Sequence, residues 1–458
     1  MLINFTVEYY RSFGTEQTLN MLATSLKDHP GHCVQIPATD KSVLQTGVIY
    51  GANASGKSNL IRAMLFAQQL ILGRTTLKAL AQSRFRFVKE EKPASFEFRF
   101  LANGQVFVYG FTTTHETIIE EWLDASSNTG RETNVFTRQK ETIDIGRLRS
   151  LAEDVAISRK ALRALKDLGV RDDQLLLSKI VELPNQSRGK LLNRVAWWLS
   201  KCLTTVPAES HYAPLMDMID VDEDFRRFCG TFLKNVGTGI DDLSIEKAKI
   251  DADKIPKQML DHLQSPEGEN TALLIGGPGV ALELDADDPT KVIRKHLNAK
   301  HEVNNEDYSI SFQEESDGTQ RCLSLLPALY HLTQEPRVFI VDEIDRSLHP
   351  LLCHALLKLF LDECPGHYQQ MIVTTHETHL LDLDLLRRDE IWFMEKDSQQ
   401  QSRLSSLGDW KTRKDLRIEK GYLQGRFGGI PFIGHTKKLK DMIHCPANGI
   451  WNEEETTT

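Results

Sequence analysis

The sequence is as informative in what it lacks as in what it holds. None of its 458 residues falls in an apolar run approaching the ~18 residues that a membrane-crossing helix requires, so no transmembrane function is expected. The first residues, Met1-Leu2-Ile3-Asn4-Phe5-Thr6-Val7, have no basic stretch and no long apolar stretch, so no signal peptide is read there. The 7 cysteines are scattered, odd in number and without a C-x-x-C pair. That excludes a disulfide framework and points to reduced thiols in the cytoplasm. There is no excess of positive charge; the net charge is −9, so the whole molecule does not attract nucleic acid. Local basic stretches such as Lys437-Lys438-Leu439-Lys440 could still touch nucleic acid, though a solvated face is the ordinary use of such a run. No heptad pattern persists for three or four turns, which argues against a coiled coil. The H-E-x-x-H zinc pattern is missing too. His376-Glu377-Thr378-His379 spaces its histidines at i and i+3 after a strand, so they share no helix face.

Against these absences stands Gly51-Ala52-Asn53-Ala54-Ser55-Gly56-Lys57-Ser58-Asn59, which fits G-x-x-x-x-G-K-[ST] at every fixed position. Gly51 and Gly56 let successive backbone N–H groups turn inward, Lys57 reaches for β- and γ-phosphates, and the Ser58 hydroxyl is a magnesium ligand. Val48-Ile49-Tyr50 before it reads as a strand. Leu60 to Phe66 after it reads as a helix ending near Gly73. Phosphates would therefore rest on a helix N-terminus. Asn53, Ser55 and Asn59 join the candidate ATP-binding residues.

The chain is long enough for two or three units. Residues 1–135 read as one half of an α/β head. Period-two runs at Ser95 to Phe100 and Gln105 to Phe111 flank an Asn103-Gly104 hairpin turn, and a further strand is expected at Ile118 to Leu123. Residues 136–235 carry helical spacing and read as a helical insertion. Trp197-Trp198 within it reads as a core or interface pair, with base stacking as the alternative. Residues 236–435 read as the second half of the head and 436–458 as a frayed tail. Gly276-Gly277-Pro278-Gly279 reads as a turn between strands.

A second chemical centre lies in that half. Arg337 to Val341 is an apolar strand that ends in Asp342 and Glu343. An acid at such a strand tip can hold Mg²⁺ through water, and the next carboxylate can polarise the water attacking a γ-phosphate. Met371 to Thr375 is another strand, ending in His376, which can bond a phosphate or its attacking water. Ser316-Asp317-Gly318-Thr319 opens a helix and offers a further anion site. Pro327 in that helix is tolerable only near its first turn or as a kink.

The order of phosphate loop, Ser-x-Gly-Thr turn, Asp-Glu strand, Ile344-Asp345-Arg346-Ser347-Leu348-His349-Pro350 and strand-His resembles the ABC-type ATPases, in their SMC/RecF-like branch. With Asn4-Phe5, Arg11-Ser12-Phe13, Arg388 to Asp397 and the stretch from Lys420 to Gly434, the chain looks more closely like the stand-alone ATPases of phage-defence operons. These are the RloA-, PtuA- and AriA-like proteins, related to the overcoming-lysogenisation-defect (OLD) ATPases.

The resemblance implies an α/β fold: an ABC-type P-loop ATPase head, a mixed sheet with an antiparallel β lobe, split by the helical insertion. It implies that two copies close head-to-tail over ATP and Mg²⁺. Lys57 and Ser58 then serve in cis, Ser316 and Gly318 in trans, and Asp345 joins the two sites. Glu343, His376 and Lys57 are the catalytic candidates; Ser58 and Asp342 are the metal candidates. Asp317 stands where the usual signature has glycine and is expected to point away from the phosphates. Gln82 is the candidate for the glutamine loop.

The implied function is an ATP-hydrolysing sensor subunit that controls a separate effector, a nuclease, since the stretch after His376 is too short for a nuclease domain of its own. The alternative is a DNA-stimulated repair or chromosome-associated ATPase. A scaffold that binds ATP without turnover has no use for Glu343 and His376, and a transporter head would need a membrane domain.

Overall fold

The computed structural model describes residues 1–127, 130–148, 155–208, 215–264, 273–274, 279–288, 290–330, 335–364, 366–410 and 418–426. The expected tail at 436–458, Lys437 to Lys440, the turn at Gly276 to Pro278 and the end of the Lys420 to Gly434 stretch lie outside them. The fold is mixed α/β.

At its centre is a six-stranded sheet in the order Leu203–Val206, Val338–Val341, Gln370–Thr375, Thr46–Gly51, Ile391–Lys396 and Ser402–Ser406. The first five strands run parallel and the last antiparallel. Parallel strands are normally covered on both faces, hence their near-continuous apolar runs. Here the alternation is explicit. Ile49, Ile340 and Ile372 pack into one core, whereas Val48, Phe339, Val341 and Val373 pack into the other.

The first core is closed by a seven-stranded antiparallel sheet. Its order is Thr142–Ile145, Glu132–Gln139, Ile118–Ser126, Gln105–Thr113, Ala94–Ala102, Leu2–Glu8 and Gln17–Asn20. Phe96, Phe98 and Phe100 face Phe111, Tyr109 and Phe107 across the expected hairpin, all fully buried. The helix Lys57–Ile71 lies between the two sheets' apolar faces.

The segment read as a helical insertion is divided by the sheet. The strand Glu132–Gln139 runs across residue 135, and Thr142–Ile145 extends the same sheet. Helices Val155–Leu168, Leu176–Glu182 and Asn185–Trp197 pack on the first core. Leu203, read as the last residue of a helix from Gly189, instead begins the strand Leu203–Val206, the edge strand of the central sheet. Helices Leu215–Val221 and Glu223–Asn235 then pack on the second core. The β-branched run Thr204-Thr205-Val206 before Pro207 favours a strand, and pairing with Val338–Val341 fixes it there. Trp198 is a core residue, stacked on Phe100 at 4.1 Å between ring centres.

A buried ion pair fastens the helices to the antiparallel sheet. Glu121 accepts from Leu176 N and Leu177 N at 2.7 and 2.8 Å, and Arg138 lies 3.8 Å from it. Arg138 also donates to the carbonyls of Lys140 and Arg171.

A third sheet, unforeseen in the sequence apart from its turn, combines Asp242–Asp251, Lys291–Val303, Val280–Leu284 and Leu273–Leu274, with Glu306–Ser311 paired to the long strand. It delivers the chain to Ser316. Helix Asp317–Tyr330 follows, and Pro327 lies in its last turn, where it removes one helical bond.

Candidate nucleotide-binding site

The sheet brings three distant strand ends together. The phosphate loop leaves Thr46–Gly51, the two acids leave Val338–Val341, and His376 leaves Gln370–Thr375. Between them opens a cavity of about 460 Å³, walled by the loop from Ala52 to Asn59 with Arg62, Glu343, His376 and Lys396.

The loop's shape depends on its glycines. Gly56 has φ 118°, and a Cβ there would overlap Ser402 Oγ and lie 2.9 Å from Ser12 Oγ. A Cβ at Gly51 would stand 2.6 Å from Ser55 Oγ. The loop is braced from both ends of the chain. Asn59 Nδ2 donates to Ser12 Oγ at 2.9 Å, and Ser402 Oγ donates to Ser12 Oγ at 2.7 Å. Ser55 Oγ is buried and has no hydrogen-bond partner among the described residues.

Lys57 is buried, with its ammonium group donating to Gly51 O at 2.7 Å and to His376 Nε2 at 3.0 Å. Burial pushes its pKa down to about 8, against the opposing pull of Glu343, Asp342 and Asp345. The His376 pKa is lowered by burial and then by Lys57, so the imidazole is neutral at pH 7 and can accept from the ammonium group. The backbone N–H of His376 donates to Asp345 at 3.2 Å.

Asp342 is buried and does not line the cavity. Its Oδ1 accepts from Thr374 Oγ1 at 2.6 Å, and the same Thr374 oxygen accepts from Glu343 N at 2.8 Å. Glu343 is half-buried on the cavity wall with φ 47°, a left-handed backbone for a non-glycine residue. Arg321, buried in the helix that follows Ser316, donates to Asp342 O at 2.7 Å and to Glu343 O at 3.3 Å.

Of the residues singled out by sequence, Asn53, Ser55, Gly56, Lys57, Ser58, Asn59, Glu343 and His376 share the cavity, and Gly51 supports it from below. Ser316, Gly318 and Asp345 are not on its wall, and Gln82 is exposed on the short helix Leu80–Ser83. Sequence reading missed Arg62, Lys396, Thr374, Ser12 and Ser402. Only Ser12 carried a signal, in its Arg-Ser-Phe-Gly turn.

The donor set fits a triphosphate. It has a helix N-terminus, an ammonium group, a small-residue cradle that a Cβ would fill and an unpartnered buried hydroxyl. Ser58 and Asp342 are hard oxygen donors of the kind that hold Mg²⁺ with phosphates.

The protein-family model described as "AAA domain, putative AbiEii toxin, Type IV TA system" matches residues 48–167 and 205–382. No curated protein matches the chain. Among solved structures, an SmcHead bound to the C-winged helix domain of ScpA is similar at 15% identity and a TM-score of 0.39, covering 88% of this chain and 97% of that one. The SMC head domain from Thermotoga maritima is similar at 14% identity and a TM-score of 0.35, covering 88% and 98%. An Smc head domain with an extended coiled coil, bound to the C-terminal domain of ScpA derived from Pyrococcus furiosus, is similar at 14% and 0.31, covering 96% and 99%.

Proposed function

The chain belongs to that AAA-domain family, and from this premise we propose that it hydrolyses ATP as the sensor subunit of a two-component anti-phage system. Two copies close head-to-tail over ATP, and the closed state controls a separate effector, a nuclease. The observation that carries this reading is the meeting of Lys57, Glu343 and His376 in one cavity whose wall lacks the Ser316 turn. Such a wall supports the reading that Lys57, Glu343 and His376 act in cis and that a second copy supplies the Ser316 turn. The family description names a toxin–antitoxin setting, which supports a role in conflict between cell and invader.

In the proposed mechanism Lys57 and the loop N–H groups hold the β- and γ-phosphates. Glu343 takes a proton from the attacking water as its oxygen bonds to the γ-phosphorus. The bond from that phosphorus to the β–γ bridging oxygen breaks, and ADP leaves with the electron pair. Neutral His376, held at its backbone N–H by Asp345, orients the water or a γ-oxygen. Ser58 and, through water, Asp342 would hold Mg²⁺, which when bound neutralises charge developing on the phosphates. Thr374 and Arg321 position the two acids. Ser316 and Gly318 serve the nucleotide of the other copy.

The test is to purify Glu343→Gln from its native host in ATP and identify what accompanies it. A nuclease that is released once wild-type turnover is allowed supports the proposal. Duplex DNA with no protein partner would replace it with a DNA-repair ATPase. Degradation of DNA or RNA by the purified chain alone would also overturn it.

A further inference from the structure

A second cleft, of about 570 Å³, opens between the end of the strand Leu2–Glu8 and the segment that leads into the strand Ala94–Ala102. The proposed reaction does not use it. Four cations line it, Arg84, Arg86, Lys89 and Lys92, against one carboxylate, Glu91. Glu91 is already engaged, by Arg84 at 2.6 Å and His115 at 3.2 Å. Lys92 donates to the Tyr9 hydroxyl at 2.9 Å and lies 5.0 Å from the centre of that ring. Arg86 donates to the Gln82 carbonyl at 3.2 Å. Arg86, Lys89 and Lys92 have no carboxylate partner among the described residues.

Cations gathered around one cleft repel each other unless an anion joins them. Charges on a loose loop escape that cost by moving apart, but these sit on a fixed frame. Arg11 N donates to Ser83 O at 2.6 Å, and Phe85 N donates to Tyr9 O at 3.3 Å. Phe85 is buried against Gly14, where a Cβ would stand 2.6 Å from its ring. The Arg84–Glu91 pair ties the two ends of the loop together. The anion that fits is compact. Exposed Glu90 and Glu116 and half-buried Glu8 border the cationic residues, and a long polyanion would have to pass them. The volume exceeds the roughly 460 Å³ of the nucleotide cavity, so a chain of several phosphates has room.

We propose that this cleft binds a phosphate chain, free or carried by a nucleotide, and that its occupancy is felt at the nucleotide cavity. The link is one short turn. Tyr9, on the cleft wall, and Arg11 both hold a left-handed backbone, at φ 51° and 50°, which non-glycine residues adopt only where their surroundings impose it. The next residue, Ser12, accepts from Asn59 and Ser402 and so braces the phosphate loop. A ligand that fixes this turn changes the cavity's affinity for nucleotide, and nucleotide changes the cleft's affinity by the same factor. Binding in the cleft is independent of the ATPase reading. What the signal controls rests on the sensor role proposed above, to which the cleft gives a small anionic trigger.

The experiment counts, by equilibrium dialysis, the tripolyphosphate, non-hydrolysable ATP analogue and AMP bound by the full chain and by Arg86→Glu/Lys89→Glu. Both side chains are exposed and outside the nucleotide cavity, so the variant should melt with wild type and keep the cavity's affinity for a fluorescent ATP analogue. Wild type should bind one more tripolyphosphate per chain than the variant, whose cleft should be weaker by at least about a hundredfold, tenfold for each cation reversed. Lys89→Glu alone should lose about tenfold, which keeps the test in force if the double variant does not fold. Analogue bound in the cleft more than about tenfold tighter than tripolyphosphate identifies the ligand as a nucleotide, and equal affinity identifies the phosphate chain itself; AMP should bind weakest. Tripolyphosphate competes for the nucleotide cavity in both proteins alike. A further change of about fivefold or more in fluorescent-analogue affinity, in wild type alone, is the coupling. Equal stoichiometry in wild type and both variants overturns the site, and an extra site without that further change overturns the coupling. An oligothymidylate that binds the cleft more tightly than tripolyphosphate overturns the proposal in favour of a nucleic-acid surface. None of these readouts uses ATP turnover, so an inactive ATPase and an empty cleft give different results.

Discussion

Thr374 is the least conspicuous residue of the site and gives the sharpest test of how its acids are held. It is fully buried at the end of the strand Gln370–Thr375, where one hydroxyl makes two bonds. It donates to Asp342 Oδ1 at 2.6 Å and accepts from Glu343 N at 2.8 Å. Thr374→Val keeps the shape and removes both. A bond to a charged carboxylate contributes about 1.5–3 kcal/mol, and a buried N–H left without a partner costs about 1–3 kcal/mol. The variant should therefore be destabilised by about 2.5–6 kcal/mol. Glu343 should suffer further, because its left-handed backbone at φ 47° is held in part by that bond. A displacement of about 1 Å at a reacting group lowers turnover about a hundredfold. Nucleotide binding should stay within about threefold of wild type, since Thr374 does not line the cavity. Urea unfolding, binding of a fluorescent ATP analogue and phosphate release would be measured on the same preparation. Wild-type turnover in a variant of unchanged stability would refute the reasoning, as would a loss confined to binding.

Three further outcomes are expected. Gly56→Ala meets both a backbone of φ 118° and the Ser402 side chain, so it should abolish nucleotide binding and lower thermal stability; binding that survives would mean the loop is not built as described. The Lys57 pKa lies near 8, below its ordinary 10.5, so the ammonium charge is complete below pH 7 and is lost as pH rises through about 8. Affinity for a fluorescent ATP analogue should fall above that point. The unfolded chain retains the proton up to 10.5, so this residue's contribution to stability rises between the two values; a flat affinity profile from pH 7 to 9.5 would contradict the assignment. Glu121→Ala removes the carboxylate beside buried Arg138, which keeps only its carbonyl partners, and frees two helix N–H groups. It should cost about 3–5 kcal/mol in urea unfolding while leaving analogue affinity unchanged in the folded fraction.

The parts of the site that were legible in the sequence are those set by short, fixed spacings. Gly51 through Ser58 is one contiguous loop, and the Asp342-Glu343 and His376 positions are read from the strands that precede them. Each needs only local geometry to be recognised. Thr374 was not legible because its partners, Asp342 and Glu343, lie on the end of the neighbouring strand, and Ser402 was not because it meets Ser12 and Ser55 only once the strand Ser402–Ser406 has joined the central sheet. The fold divides along the same line. Apolar strands flanked by turns were recognisable, but Leu203–Val206 is four residues following directly on a helix, and it is marked as a strand by its pairing with Val338–Val341. The sheet formed around Lys291–Val303 was missed because one long, polar strand carries it, with no clean alternation of apolar residues.

The central question is whether the cavity shared by Lys57, Glu343 and His376 turns over ATP. The direct measurement is ATP binding and phosphate release by wild type and Glu343→Gln, side by side at equal concentration. Wild type should bind ATP and release phosphate. Glu343→Gln should bind at least as tightly while release falls by about 10²–10⁴-fold. Equal release by both proteins, or ATP binding by neither, would contradict it.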